Sequence, residues 1–112
     1  KCSEYSALFP NILIGLHLYY FYVFWLEPLA TNKTKEHMQI YYVGDRSANS
    51  EDLKDLRKEN VRFWKDVMLE DISAIEGMQD GRSSPAYNGG NFSPVMDQPT
   101  HQFHKWVANG LI

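Results

Sequence analysis

The sequence predicts an α+β fold in which antiparallel strands are followed by one long helix packed across them. Three observations predict it. Tyr19-Tyr20-Phe21-Tyr22-Val23-Phe24-Trp25 has the aromatic and β-branched composition of a strand. Between Thr34 and Val43, Met38, Ile40 and Tyr42 alternate with His37, Gln39 and Tyr41, the period of a strand with one face in a core. From Ser50 to about Gln79 the apolar residues recur at helical period, and only Gly77 interrupts them.

The elements follow in order. Tyr5 to Phe9 predicts a short strand ending at Pro10-Asn11, and Ile12 to Leu26 one or two further strands with a bend at Gly15-Leu16-His17. Glu27-Pro28 predicts the end of that stretch, and Ala30-Thr31-Asn32-Lys33 a polar turn into the next strand, which makes a hairpin. Strands are thus expected over about 5–43. Gly44 to Asn49 reads as loop, and Ser50 as the N-cap of a helix over about 50–79, with Glu51 and Asp52 in its first turn. A Gly/Ser/Pro/Asn-rich loop covers 80–97. A terminal amphipathic helix is expected over about 98–108, with Phe103, Trp106 and Val107 on its apolar side.

At 112 residues the chain holds one hydrophobic core. A formal net charge of −3 leaves no basic footprint for nucleic acid or an anionic membrane surface. The apolar run Ile12 to Leu26 is shorter than the roughly 20 residues a spanning helix needs, and its aromatic half has strand composition. A single cysteine, Cys2, excludes an internal disulfide and a cysteine-based metal cluster within the chain, and fits a reducing compartment. No signal peptide is visible. The text begins without Met and reaches an apolar strand within a few residues, so a longer parent polypeptide is expected.

Asp71 is the residue that asks for chemistry. On a helical wheel Leu53, Trp64, Val67, Ile75 and Met78 lie within about 40° of it, so its carboxylate points where the sheet is expected. An isolated carboxylate in an apolar interior is protonated unless it is paired or bound to a metal. A metal and a salt bridge to a buried Arg are equally compatible with that position. Glu70 points sideways toward solvent. Glu76 lies on the flank, either accepting a hydrogen bond that orients a metal ligand or standing as a surface charge.

His101 and His104 stand i, i+3 apart and with Asp71 would make two histidines and one carboxylate, the facial set of a non-haem iron site. Two polar-face residues of a terminal helix give the same spacing. His17 reads as a core or pocket histidine and His37 as exposed. No phosphate-binding glycine loop, nucleophile elbow or cysteine pair is present.

Three stretches, in family order, resemble the catalytic α subunit of Rieske-type non-haem iron oxygenases, the aromatic-ring-hydroxylating dioxygenases. They are Leu8-Phe9-Pro10-Asn11-Ile12-Leu13-Ile14-Gly15 with Trp25-Leu26-Glu27-Pro28-Leu29, then Glu70-Asp71-Ile72-Ser73-Ala74-Ile75-Glu76-Gly77-Met78-Gln79-Asp80-Gly81-Arg82, and finally Phe103-His104-Lys105-Trp106. The resemblance implies a helix-grip domain, a curved antiparallel sheet around a long helix, of which this chain is the C-terminal portion. It implies that Asp71 is one ligand of a mononuclear Fe(II), with two histidine ligands upstream of Lys1, and that Glu76 is its acidic companion in the second shell. The family's Asp-x-x-His-x-x-x-x-His motif is absent here. So are the Cys/His pairs that hold a Rieske [2Fe–2S] cluster, which the resemblance places in a missing N-terminal domain.

The resemblance further implies hydroxylation of an aromatic or related small organic substrate with O2. Electrons from NAD(P)H would arrive through a reductase, with or without a ferredoxin, in a cytoplasmic α3 or α3β3 assembly. Quaternary ammonium compounds are the substrates of related branches. Val67 and Met68, one turn before Asp71, and Tyr19 and Phe21 on the strand are the expected pocket residues. The segment by itself is expected to be inactive. The alternative is a non-catalytic helix-grip module that binds a hydrophobic small molecule, and it would need no carboxylate on the buried face.

Overall fold

A computed structural model describes residues 3–111 of the chain; Cys2 lies outside the described residues. Its elements are β1 (Glu4–Leu8), β2 (Ile12–Leu16), β3 (Tyr20–Ala30), β4 (Lys33–Tyr42), the short helix α1 (Asp45–Asn49), a 3-10 turn (Glu51–Leu53), the long helix α2 (Lys54–Arg82) and α3 (Gln98–Gly110). The fold class is α+β. Two compact units divide the chain, residues 1–79 and 80–112.

In the first unit the four strands form one antiparallel sheet in the order β1-β2-β3-β4. The bend between β2 and β3 falls at His17 to Tyr19, where the His17 N–H donates to the Tyr20 carbonyl at 2.9 Å. Asn11 clamps the start of β2 to β3: its side-chain amide donates to the Leu26 carbonyl at 2.9 Å, and its own carbonyl accepts the Leu26 N–H at 3.0 Å. Because side chains alternate along a strand, Tyr20, Tyr22, Phe24 and Leu26 share one face with Met38 and Ile40 of β4. Tyr22 and Phe24 are buried there against Trp64 of α2, with Tyr20, Leu26, Met38, Ile40, Val67 and Met68 packed around them.

Strand β3 runs on to Ala30, past the end expected at Glu27-Pro28. The physical reason lies in the register. β2 pairs with β3 only from Phe21 to Trp25, so at Pro28 one side of β3 has no ladder bond to lose, and a register irregularity between Pro28 and Ala30 absorbs the ring. The expected loop over Gly44 to Asn49 contains α1, entered through Gly44 at φ 83°, a left-handed conformation that favours glycine. Ser50 does not cap α2 directly. Its hydroxyl donates to the Asp52 carboxylate, a 3-10 turn intervenes, and Arg57 Nη1 donates to the Ser47 and Ser50 carbonyls at 3.2 and 3.0 Å.

The opposite face of the sheet carries a polar cluster that alternation alone does not reveal. His37, expected to be exposed, is half-buried: its ring stacks on its cross-strand partner Trp25 at 4.7 Å and 2°, and its Nε2–H donates to Glu27 Oε2 at 2.7 Å. That bond holds the Glu27 carboxyl below its ordinary 4.5, helped by the facing Lys35. A depressed carboxyl stabilises the fold above its ordinary value, and that contribution is lost as pH falls through the folded value, below 4.5. His37→Ala is therefore expected to move the Glu27 side-chain carbon titration up towards 4.5 by NMR, and an unmoved titration would refute the assignment.

The second unit contains the end of α2 and α3. Ahead of α3, the Ser93 N–H donates to Asp97 Oδ2 at 2.7 Å and Ser93 Oγ accepts the Met96 N–H at 3.2 Å, a reciprocal brace at the helix entry.

Candidate functional site

The apolar stripe of α2 divides in two. Trp64 is the one buried residue of the helix, with 8% of its surface exposed, and Val67 and Met68 in the next turn are half-buried. Beyond them every residue from Leu69 to Arg82 is exposed, Ile75 at 52% and Met78 at 59%. Asp71 therefore differs from expectation: it shares its helix face with Trp64, Val67 and Ile75, yet it is exposed. The cause is extent, because β3 and β4 pack on α2 around Trp64 to Met68 and the stripe continues past them.

No described residue makes a hydrogen bond or ion pair to the Asp71 carboxylate, so a buried Arg partner is not present among them. An uncommitted carboxylate is a hard oxygen donor able to ligate a divalent cation. Among the described residues no group of three His, Cys, Asp or Glu side chains stands close enough to hold a metal ion. Glu76, also exposed, lies about 140° round the continuous helix and about 7.5 Å further along its axis, and so does not approach the Asp71 carboxylate.

His101 and His104 converge on a ring. Phe92 lies 4.9 Å from the His101 ring and 5.0 Å from the His104 ring, the latter edge-on at 90°. Their i, i+3 spacing has this structural use in the second unit.

An open cleft of about 400 Å3 lies between α2 and β3–β4; its last lining residue on the helix is Leu69, and Asp71 is not part of the lining. Phe24, Met38, Ile40, Trp64 and Met68 form its apolar walls, and Glu36 and Lys65 bring the two charges. Met68 thus lines it, one turn before Asp71, and Val67 packs on the core beside it. Tyr19 lines a separate cleft of about 600 Å3 with Tyr20, Tyr42, Leu53 and Leu56. Phe21 goes elsewhere. It alternates to the sheet face away from α2 and stacks on Tyr41 at 4.9 Å and 13°. Alternation along β3 separates Phe21 from Tyr20 and Tyr22, so the run of aromatics supplies two faces rather than one wall.

Sequence reasoning missed how α2 is fastened to the sheet. Trp64 Nε1–H donates to the Tyr20 hydroxyl at 3.1 Å, and the Tyr22 ring meets the indole at 4.5 Å and 63°. The Tyr20 ring stacks on His17 at 4.5 Å and 17°, and His17 Nδ1 shares a hydrogen bond with Ser3 Oγ at 3.0 Å. His17 Nε2 is buried without a hydrogen-bond partner, inside a box of Tyr5, Tyr20, Tyr22 and Trp64 rings. Burial, and then the neighbouring Tyr5 and Tyr20, raise the Tyr22 phenol above its ordinary value and keep it neutral. The signal available in the sequence was spacing: Trp64 precedes Asp71 by two helical turns, and Tyr20 alternates with Tyr22.

No helix among the described residues is long and apolar enough to cross a membrane. No solved structure matches the chain significantly. Choline monooxygenase of Spinacia oleracea is 25% identical over 107 residues, covering 96% of this chain and 24% of that protein. The choline monooxygenases of Atriplex hortensis and Amaranthus tricolor are 25% and 24% identical over the same length. The chain thus spans about a quarter of the length of the curated relatives it matches. The family model described as "Ring hydroxylating alpha subunit (catalytic domain)" matches residues 2–111. With that match across nearly its whole length, the chain belongs to the ring-hydroxylating α-subunit catalytic domain family.

Proposed function

We propose that this chain is part of the catalytic domain of a Rieske-type oxygenase, in which Asp71 is the carboxylate ligand of mononuclear Fe(II). The observation that carries the reading is an uncommitted, exposed carboxylate one turn beyond the cleft-lining Met68, in a chain matched throughout by the family. When bound, the iron supplies O2 activation with electrons delivered through a Rieske [2Fe–2S] cluster from a reductase drawing on NAD(P)H. This chain's residues do the rest. Asp71 contributes a fixed negative charge and one coordinating oxygen. Val67 and Met68 keep the preceding turn apolar and exclude water. Glu76, directed away from Asp71, serves as a solvated flank charge or meets a group from outside the helix.

The substrate proposed is a quaternary ammonium alcohol of the choline type, ahead of an uncharged aromatic ring. Relatives are named for choline, and the cleft carries Phe24, Trp64 and Tyr42 ring surface, its Glu36 and Lys65 charges offsetting one another. Aromatic faces attract a quaternary cation that cannot donate hydrogen bonds. The test is product analysis with the full-length protein, its reductase system and NADH, offering choline and benzoate in parallel. Oxidised choline with matching O2 uptake is expected. Hydroxylated benzoate alone would overturn the substrate. No iron and no O2 uptake with either would return the chain to a non-catalytic binding module.

A further inference from the structure

A facial metal site works only if each ligand is aimed correctly, with tolerances of about 0.5 Å and 10–20° for productive geometry. What aims Asp71 is not local. The helix from Leu69 to Arg82 is exposed throughout, so its first-unit packing on the sheet is confined to the preceding turns. Within those turns Trp64 is the buried residue, and its indole donates to the Tyr20 hydroxyl. A turn earlier the Asn60 amide donates to the Tyr42 hydroxyl at 3.2 Å, which itself donates to the Arg57 carbonyl at 3.1 Å, so the Trp64 bond is the last directional anchor to the sheet before Asp71.

Helix geometry connects the two. Asp71 follows Trp64 by seven residues, about 20° short of two full turns and about 10.5 Å along the axis, so both lie on one stripe. A side-chain tip about 5–6 Å from the axis moves about 2 Å when the helix rotates by about 20°. Slippage of that size at Trp64 would exceed what a ligand set tolerates. Apolar packing by Val67 and Met68 is non-directional and does not define rotation so closely.

Tyr20 is itself braced. Its ring is stacked on His17, which shares a hydrogen bond with Ser3, so the hydroxyl that receives the indole N–H is fixed from the β1–β2 side. Edge-on contact with the Tyr22 ring closes the other side of the indole.

We propose that Trp64 is a positioning residue, and that its indole bond to Tyr20 sets the rotation of α2 and thereby the direction in which Asp71 is presented. The proposal rests on the reading of Asp71 as an iron ligand. Tyr20 is the other half of the device, and neither residue touches the metal.

The test uses the full-length protein, stripped of mononuclear iron and titrated with Fe(II), with Tyr20→Phe, Trp64→Phe, the double variant and Asp71→Ala in parallel. Tyr20→Phe keeps the ring and removes only the acceptor. It is expected to weaken Fe(II) binding about ten- to hundredfold, as loss of an orienting partner does, with the Rieske absorption unchanged. The EPR signal of the nitric oxide adduct should change its rhombicity, which a merely structural loss of stability would not cause. The double variant should bind Fe(II) no worse than the weaker single variant, because both remove the same bond. Parent-like Fe(II) affinity and EPR in both single variants, while Asp71→Ala loses the metal, would overturn the positioning role alone. Retention of Fe(II) by Asp71→Ala would instead overturn the ligand reading, and the positioning proposal with it. Should one variant fail to fold, the other single variant decides the matter.

Discussion

Asp71→Ala in the full-length protein is expected to remove mononuclear iron while leaving the Rieske spectrum intact, and to reduce product formation to background. The loss in Fe(II) affinity should exceed the about hundredfold that marks the upper end for a second-shell partner, because a coordinating oxygen and a negative charge disappear together. Nothing described can replace it: no second carboxylate faces the same side of α2 within a turn, and Glu76 points elsewhere. Glu70→Gln is the matched control, removing an exposed charge from the same helix, and should leave iron content at the parent's level. Iron per polypeptide and the visible absorption of the cluster read both outcomes. An alanine variant that retains stoichiometric iron and turnover would refute the ligand assignment. Stability should hardly change, since the residue is exposed and unpaired in the described structure.

Gly15→Ala is the second large effect, and it acts on stability. Gly15 is the cross-strand partner of Tyr22, whose ring lies across the glycine. A Cβ placed there would stand 2.3 Å from Tyr22 Cζ and 2.4 Å from Cε1, far inside van der Waals contact. The ring is a rigid plate already held edge-on against Trp64, so relief means moving the Tyr22–Trp64 contact of the core. Overpacking of this kind costs about 1–3 kcal/mol. A lowered urea midpoint for the catalytic domain, with an altered near-ultraviolet signal from Trp64, is the expected result. Prior Tyr22→Leu substitution should make the added methyl nearly neutral. An equal cost in both backgrounds would show that the clash is not with Tyr22.

Much of the frame is legible in the sequence because it rests on short-range periodicity. The alternation of Met38, Ile40 and Tyr42 and the helical spacing around Trp64 each encode one face of one element, and together they give the α+β class. Legibility stops where a fact depends on which strand lies beside which. Pro28 reads as a strand end until the register shows that β2 has already stopped at its level. Tyr19 and Phe21, two apart, read as pocket residues on one strand, but Tyr19 stands in the bend before β3 and Phe21 stacks on Tyr41 on the face away from α2. The cluster of Trp25, His37 and Glu27 joins two strands through a register that no local pattern states.

Asp71 is the most instructive case. A wheel gives its direction correctly relative to Trp64 and Val67, but a wheel has no information about how far the sheet extends along the axis. Direction alone does not give burial; how far β3 and β4 reach along the helix decides it. The His101 and His104 pair shows the converse. Its spacing suits a metal, and a ring contact with Phe92 accounts for the same spacing.

The strand order has a kinetic consequence. Each strand of the sheet pairs with its immediate neighbour in the chain, and β3 joins β4 through a turn at Thr31–Asn32. Closing such short loops carries little entropic cost, and topologies of low contact order form early in folding. The bond from Trp64 to Tyr20 is of another kind, joining residues 44 apart in sequence. It can close only after the hairpins exist to receive the helix. The aim of Asp71 is then among the last features of this unit to be set during folding, and among the first to blur when the helix begins to detach.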